Sequence, residues 1–72
     1  MYSYLFAKQL VQENSDLLSA VMPDSFEAVV DMCNHYESNN EEAEKVWALD
    51  QMQEDIEQLV DCVEHDKKHP IL

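Results

Sequence analysis

The sequence contains no glycine and no arginine, and only four lysines accompany sixteen aspartates and glutamates. Phosphate-binding loops, dinucleotide-binding fingerprints and most tight hairpin turns use backbone conformations that favour glycine, so its absence excludes them. Contacts to phosphate groups also need cationic side chains. At a net charge of −12, we therefore expect no direct binding of nucleic acid.

Long apolar runs are absent as well. A helix that spans a bilayer needs about 20 predominantly apolar residues, and because no segment approaches that length we expect no membrane insertion. Residues 1–8, MYSYLFAK, lack the basic start of a signal peptide. We therefore expect a cytoplasmic protein, in which the two cysteines, Cys33 and Cys62, stay reduced.

The chain nevertheless has enough apolar character to fold. Its length is 72 residues and its apolar fraction is 46%, which argues against disorder. We expect a single helical domain over residues 1–72, because domains rarely have fewer than about 50 residues. A chain of this size buries only about 60% of the surface that its unfolded form exposes, so its core is thin.

Apolar residues recur along the chain with the 3.6-residue period of a helix, and no segment alternates as a strand does. The pattern predicts an all-α fold, a small three-helix antiparallel bundle with a long acidic C-terminal helix. The helices are expected at about 3–21, 25–37 and 40–67, before a tail at 68–72. The polar run Asn14-Ser15-Asp16 equally suits a division of the first helix into two. One continuous helix is favoured because the apolar residues before and after this run keep the same 3.6-residue spacing.

Local signals predict where these helices end and begin. Pro23 ends the first helix, since the residue before a proline leaves the helical region. Pro70 ends the third helix in the same way. Two capping-box patterns, in which a cap residue is followed three positions later by glutamate, begin the second and third helices: Asp24 with Glu27 and Ser38 with Glu41.

The third helix carries an apolar seam with the 3-4-3-4 spacing of a coiled coil, formed by Leu49, Met52, Ile56, Leu59 and Val63. Such a seam pairs helices, and we expect a homodimer at micromolar concentration. The predicted core combines this seam with the apolar faces of all three helices: Phe6, Leu10, Leu17, Val21, Phe26, Val29, Val30, Cys33, Tyr36, Val46, Leu49, Met52, Ile56, Leu59 and Val63.

Titratable residues with ligand-like spacing are present, but they do not predict a metal or catalytic site. The sets at i, i+4 are Asp31/His35 and Asp61/His65/His69. A metal in a helical bundle needs a further ligand that converges from a facing helix, whereas these residues point away from the apolar faces. Catalysis needs a concave pocket that excludes water, and a domain this small has little room for one. We expect a non-enzyme with no cofactor and no metal.

The negative charge is concentrated in the second half of the chain. Residues 37–66 contain eleven acidic residues and one lysine, whereas residues 1–36 contain five acidic residues and one lysine. On the third helix, five carboxylates follow the spacing i, i+4, i+7, i+11, i+14 over about 21 Å. We call this set the acidic stripe: Asp50, Glu54, Glu57, Asp61 and Glu64. The alternative interpretation is a solvated face that keeps a small protein soluble.

Two further residues join the acidic stripe as predicted partner-binding residues, Glu44 and Trp47. Trp47 falls nearly opposite the apolar seam around the third helix, and an exposed tryptophan is a favoured interface anchor. The alternative is that Trp47 packs under the first helix or against the loop at residues 38–40.

The charge pattern predicts a protein that acts by binding. An acidic helix complements a basic groove, so the leading hypothesis is an inhibitor or sequestering protein for a basic, nucleic-acid-binding partner protein, acting by nucleic-acid-like charge mimicry. In composition the chain resembles small acidic helical proteins that block nucleic-acid-binding machinery, including phage-encoded inhibitors of restriction and CRISPR systems; the location is the host cytoplasm if this chain is phage-encoded. The second hypothesis is a helical adaptor or self-assembling homodimer joined by the apolar seam. The third is a metal-binding bundle.

Overall fold

The computed structural model describes residues 1–68, which form four α-helices and no strand. They are α1 (Tyr4–Glu13), α2 (Ser15–Val21), α3 (Pro23–Ser38) and α4 (Glu42–Lys68). The all-α prediction is confirmed for these residues. Of the predicted tail at 68–72, Lys68 is the last residue of α4. The predicted stop at Pro70 lies outside the described residues.

The predicted first helix, 3–21, is divided at Asn14, so residues 1–68 form four helices where the sequence predicted three. The backbone N–H and the side-chain Nδ2 of Asn14 both donate to the carbonyl of Leu10, at 3.2 and 3.0 Å. Asparagine side chains compete for backbone groups in this way, which makes them poor in helix interiors and good at helix ends. The carbonyl of Asn14 then accepts from the N–H of Leu18 at 2.9 Å, which begins α2.

The helix α3 begins at Pro23, two residues before the predicted start, with Met22 as its cap residue. Proline is favoured in the first position of a helix because its fixed φ suits the helix and its missing N–H would have no partner there. Met22 has φ −132° and ψ 63°, outside the helical region, as expected before a proline. The predicted cap by Asp24 is wrong, because Asp24 lies inside the first turn.

The predicted capping box of Ser38 with Glu41 is also wrong. Ser38 is the last residue of α3, and its hydroxyl donates to the carbonyl of Asn34 at 2.8 Å. The side chain of Asn39 donates to the carbonyl of His35 at 2.9 Å. Both polar side chains thus satisfy carbonyls at the end of α3, and α4 begins only at Glu42.

The core lies where α3 packs along α4, with α1 and α2 covering this pair. Its buried members are Ala7, Leu10, Val11, Leu17, Leu18, Val29, Cys33, Ala48, Met52, Ile56, Leu59 and Val63. The long α4 determines the 41 Å length of the molecule, which is only 19 by 17 Å across. Because the apolar seam of α4 is buried against α3 and its neighbours, α3 supports α4 over most of its length.

Several predicted core residues are only partly buried, and three of them are exposed. Phe6 and Val21 are each 40% exposed and Val46 is 54% exposed. Ala7, Val11 and Leu18, neighbours of the predicted residues on the same helical face, are buried in α1 and α2 instead. Phe6 stacks on Tyr2 at the edge of the core, with ring centroids 5.1 Å apart.

A cluster of tyrosines and charged side chains joins α1, α3 and α4. The rings of Tyr4 and Tyr36 stack with centroids 4.2 Å apart and planes 7° from parallel. Beside them, Lys8 forms an ion pair with Glu37 at 3.4 Å. From α4, Lys45 lies 4.6 Å from the centroid of the Tyr36 ring and donates to the Tyr36 carbonyl at 2.9 Å. Two of the four lysines of the chain are thus used inside the molecule.

The first test concerns the core. Leu18 is fully buried, whereas Leu5 is 71% exposed. We expect Leu18→Ala to lower the free energy of unfolding by about 2–5 kcal/mol, because it removes buried methyl groups and leaves a cavity. The matched variant Leu5→Ala should cost less than about 0.5 kcal/mol. Urea denaturation followed by circular dichroism measures both, and equal losses would contradict the described core.

A second test uses the pH dependence of the Tyr4, Lys8 and Glu37 contacts. Interaction with the Tyr4 hydroxyl lowers the pKa of Glu37 below its ordinary 4.5, and Lys8 lowers it further. A carboxyl with a lowered pKa stabilises the folded state above its ordinary value, and this stabilisation is lost as the pH falls through the folded value. We therefore expect Glu37→Gln to lower Tm at pH 7.

The control is Glu27→Gln, which removes one exposed negative charge from α3 at a residue with no ion pair within residues 1–68. The difference in Tm between the two variants should narrow steadily as the pH is lowered below 4.5. A difference that is the same at all pH values would mean that the Glu37 carboxylate contributes no charge interaction.

Candidate protein-binding surface on α4

The acidic stripe lies on the face of α4 that points away from the core. All five of its carboxylate residues are exposed. The buried residues of α4 are Ala48, Met52, Ile56, Leu59 and Val63. At 3.6 residues per turn, the mean directions of these two sets differ by about 160° around the helix axis. The helix is therefore divided into one apolar face fixed against the protein and one charged face turned toward solvent.

The charge of this face is not compensated from within the described part of the chain. Among residues 1–68, none of the five carboxylates takes part in an ion pair or hydrogen bond. Lys8 and Lys45 are turned toward tyrosines and Glu37 instead. Lys67 and Lys68 lie in the last turn of α4, beyond Glu64. The negative field of the stripe is therefore left to solvent, to counterions or to a partner.

Trp47 and Val46 lie at the N-terminal end of the same face. Trp47 is 48% exposed and Val46 is 54% exposed. The Trp47 ring meets the edge of the His35 ring, with centroids 5.4 Å apart and planes at 67°. Trp47 therefore packs against the end of α3 and keeps half of its surface available. Val46, predicted to be a core residue, is instead a neighbour of the acidic stripe that sequence reasoning missed.

Glu44 is the predicted binding residue that the structure does not bring to this face. Its Oε2 lies 3.4 Å from Nε2 of His35. The side chain of Asn39 lies 3.3 Å from the same ring nitrogen. Glu44 is therefore directed toward α3, where it helps to hold the imidazole against Trp47. The contact between His35 and Glu44 is tertiary and carries no sequence signal.

The apolar seam, which the sequence offered as a homodimer interface, is used inside the single chain. Met52, Ile56 and Leu59 are fully buried, and Val63 is 8% exposed. Pairing two copies through these side chains would require α4 to separate from α3. The adaptor hypothesis therefore loses the surface on which it depended.

The candidate ligand sets do not converge in the described structure. Within residues 1–68, no three side chains of His, Cys, Asp or Glu come together in a group that could hold a metal. His69, the last member of the second set, lies outside those residues. Burial raises the pKa of the Cys33 and Cys62 thiols, and the nearby Asp66 raises that of Cys62 further. Both cysteines are thereby kept in the weakly nucleophilic thiol form.

No family model, curated protein or solved structure matches this chain. A helical fold by itself serves many functions, so the function depends on the exposed face of α4 and on the side chains around it. Over residues 1–68, no helix combines the length and the apolar character that a bilayer crossing requires.

A third test measures what the acidic stripe costs the fold. In the stripe variant, all five carboxylate residues are replaced by glutamine. Four neighbouring like-charge pairs are removed, and each such pair destabilises a helix by about 0.2–0.5 kcal/mol. We therefore expect Tm to rise by about 4–8 °C in low salt, the rise that corresponds to 1 kcal/mol in a domain of this size.

The matched control variant carries five glutamines at exposed acidic residues of the first half of the chain, Glu13, Asp16, Asp24, Glu27 and Asp31. It has the same net charge as the stripe variant. Two of the carboxylates that it removes, Asp16 and Asp24, lie in the first turns of helices, where a negative charge is favourable. Its Tm should rise less. Sodium chloride should raise the Tm of the wild type more than that of the stripe variant, and an equal salt response would show that repulsion within the stripe is negligible.

Proposed function

We propose that this protein is an inhibitor or sequestering protein that acts by binding, without catalysis or a cofactor. Its target is a basic, nucleic-acid-binding partner protein, whose nucleic-acid groove the acidic stripe occupies. The observation that carries this proposal is the row of five exposed carboxylates on α4, with no ion pair inside the described residues. Such a row complements a cationic groove and steers association with it.

The dimensions of the stripe support charge mimicry. Its five carboxylates extend over about 21 Å, one per roughly 5 Å of helix axis. The phosphates of one DNA strand follow each other at about 3.4 Å per nucleotide, so the two charge densities agree within a factor of two. The stripe lies on a helix that is buried along its opposite face, and the rigid spacing lowers the entropy lost on binding.

Solubility alone does not account for this charge pattern. A net charge with a magnitude of about 2–8 keeps a small domain in solution, and this chain carries −12 on 72 residues. Neighbouring carboxylates in the stripe also repel each other and oppose the helix. A surface that keeps such a cost, while Lys8 and Lys45 are used in contacts elsewhere, is better explained by a cationic partner.

The arrangement of the helices supports this use of α4. Ser25, near the start of α3, contacts Gln58 at 3.3 Å, and His35, near its end, contacts Glu44 at 3.4 Å. These contacts support an antiparallel pairing of α3 with α4. In this view α1 and α2 together take the place of the first helix in a three-helix antiparallel bundle. Because the bundle buries the apolar seam, the acidic stripe is the face of α4 left for a partner.

The composition is also in keeping with an inhibitor that acts on host nucleic-acid machinery. The resemblance to small phage-encoded inhibitors lies in size, helical content and charge. For a phage protein the place of action is the cytoplasm of the host. Binding there competes with nucleic acid for the same groove, so the partner should be released from DNA or RNA as this protein binds.

The fourth test uses the stripe variant and the control variant. Each variant loses five negative charges, so the net charge of −12 becomes −7 in both. Proteins that the wild type captures from a host lysate at low salt, and loses at high salt, are assayed for nucleic-acid binding. We expect the stripe variant to bind such a partner at least tenfold more weakly than the control variant, because many exposed ion pairs of about 0.2–1 kcal/mol act together.

Reversal of the five carboxylates to lysine should abolish binding, and the single change Glu57→Gln should weaken it only severalfold. Wild-type protein should also displace duplex DNA from the partner in a competition assay. If circular dichroism shows folded variants and the stripe and control variants bind within twofold of each other, the stripe only solvates the protein and the proposal fails.

A further inference from the structure

The exposed face of α4 is not uniformly acidic. At its N-terminal end, one turn before Asp50, Val46 and Trp47 are about half exposed, at 54% and 48%. A tryptophan and a valine left this open at neighbouring positions of a helix, one on each side of the line of the acidic stripe, are typical of an interaction surface. The face thus consists of an apolar end followed by a row of carboxylates.

The Trp47 side chain is held in place by a chain of contacts that begins in α3. The His35 ring meets it at 5.4 Å, and Glu44 and Asn39 lie 3.4 and 3.3 Å from the His35 ring nitrogen. Asn39 is itself fixed by its bond to the His35 carbonyl. An aromatic side chain that is already ordered loses little entropy when a partner covers it.

The acidic stripe by itself cannot fix how a partner aligns with α4. Its members are spaced 4, 3, 4 and 3 residues apart, and this spacing repeats every seven residues. If the partner shifts by seven residues, about 10 Å along the helix axis, three of the five carboxylates still lie opposite cations of the partner. The spacing read in the reverse direction, 3-4-3-4, is almost the same. Charge alone therefore leaves both register and direction weakly determined, and specificity needs a contact that differs between the alternatives.

We infer that Trp47, together with Val46, inserts into an apolar pocket at one end of the partner protein's basic groove and thereby fixes the register and direction of α4 in the complex. This inference rests on the proposed function and adds the chemistry of the partner: a protein surface with a row of lysines or arginines that ends in an apolar depression. His35 is a positioning residue that acts through Trp47. A nucleic-acid groove with no such depression would bind the stripe in several registers.

The fifth test uses synthetic helical peptides as probes. All have equal length and net charge, with lysine at i, i+4, i+7, i+11 and i+14. The first peptide has alanine at both ends, and two others carry a pair of leucines at either the N-terminal or the C-terminal end. One of the leucine peptides should bind the wild type about tenfold more tightly than the alanine peptide, because its leucines reach Trp47 in only one direction.

Trp47 is the only tryptophan in the chain, so its fluorescence reports contact at this position without any substitution. Its emission should move to shorter wavelength with the tighter leucine peptide and stay unchanged with the alanine peptide. Trp47→Ala should reduce the preference between the leucine and alanine peptides to less than twofold and leave the affinity for the alanine peptide unchanged. The control Leu5→Ala, at another exposed apolar residue, should leave both affinities unchanged.

The outcomes separate this inference from the proposed function. If all three peptides bind the wild type equally in low salt and are released by high salt, the apolar anchor is disproved while charge mimicry stands. If Trp47→Ala keeps the preference for leucine, another apolar surface is responsible and the inference also fails. If no peptide binds in low salt, the acidic stripe does not recognise a cationic row and the proposed function itself fails.

Discussion

The burial of one face of α4 against the rest of the chain is the interaction on which this structure depends. The helix carries a row of like charges that opposes its own formation by a few tenths of a kcal/mol for each neighbouring pair. Each large apolar side chain buried on the other face contributes about 1.5–3 kcal/mol, and Met52, Ile56 and Leu59 are fully buried. Burial therefore outweighs repulsion, and the charged face can be kept without loss of the fold.

Two of the four lysines of the chain take part in contacts between helices. Lys8 and Lys45 lie against tyrosine rings, Lys8 also pairs with Glu37, and these contacts join α1, α3 and α4. Neither lysine lies within one turn of the stripe, where an i, i+4 pair would neutralise part of it. Lys67 and Lys68 do lie one turn beyond Glu64, the last member of the stripe. Lys8 and Lys45 stabilise the packing of α1, α3 and α4, and the first four members of the stripe have no lysine three or four residues away.

Periodicity predicted the parts of this molecule that depend on one helix at a time. The apolar seam of α4 and the exposure of its carboxylates both follow from the 3.6-residue repeat, and both agree with the structure. Local competition decided the rest. The side chains of Asn14 and Ser38 could each either cap the next helix or donate to a carbonyl of the previous one. In the structure both donate to a carbonyl of the previous helix.

Some features of the candidate surface could not be predicted from the sequence because they depend on tertiary contacts. The exposure of Val46 and the direction of Glu44 depend on where α3 ends relative to the first turns of α4. The apolar periodicity of one helix gives no information about the position of another helix beside it. His35 was visible only as a member of an Asp/His spacing, yet its part in the structure is to meet Trp47 and Glu44.

The link between Tyr2 and Gln53 has a consequence for how the molecule can be joined to others. The Tyr2 N–H donates to Oε1 of Gln53 at 2.7 Å, and Nε2 of Gln53 donates back to the Tyr2 carbonyl at 2.8 Å. This amide pair fixes the start of the chain beside the middle of α4, one position before Glu54. A polypeptide or surface attached through Met1, which is 92% exposed, therefore emerges next to the charged face and crowds its approach.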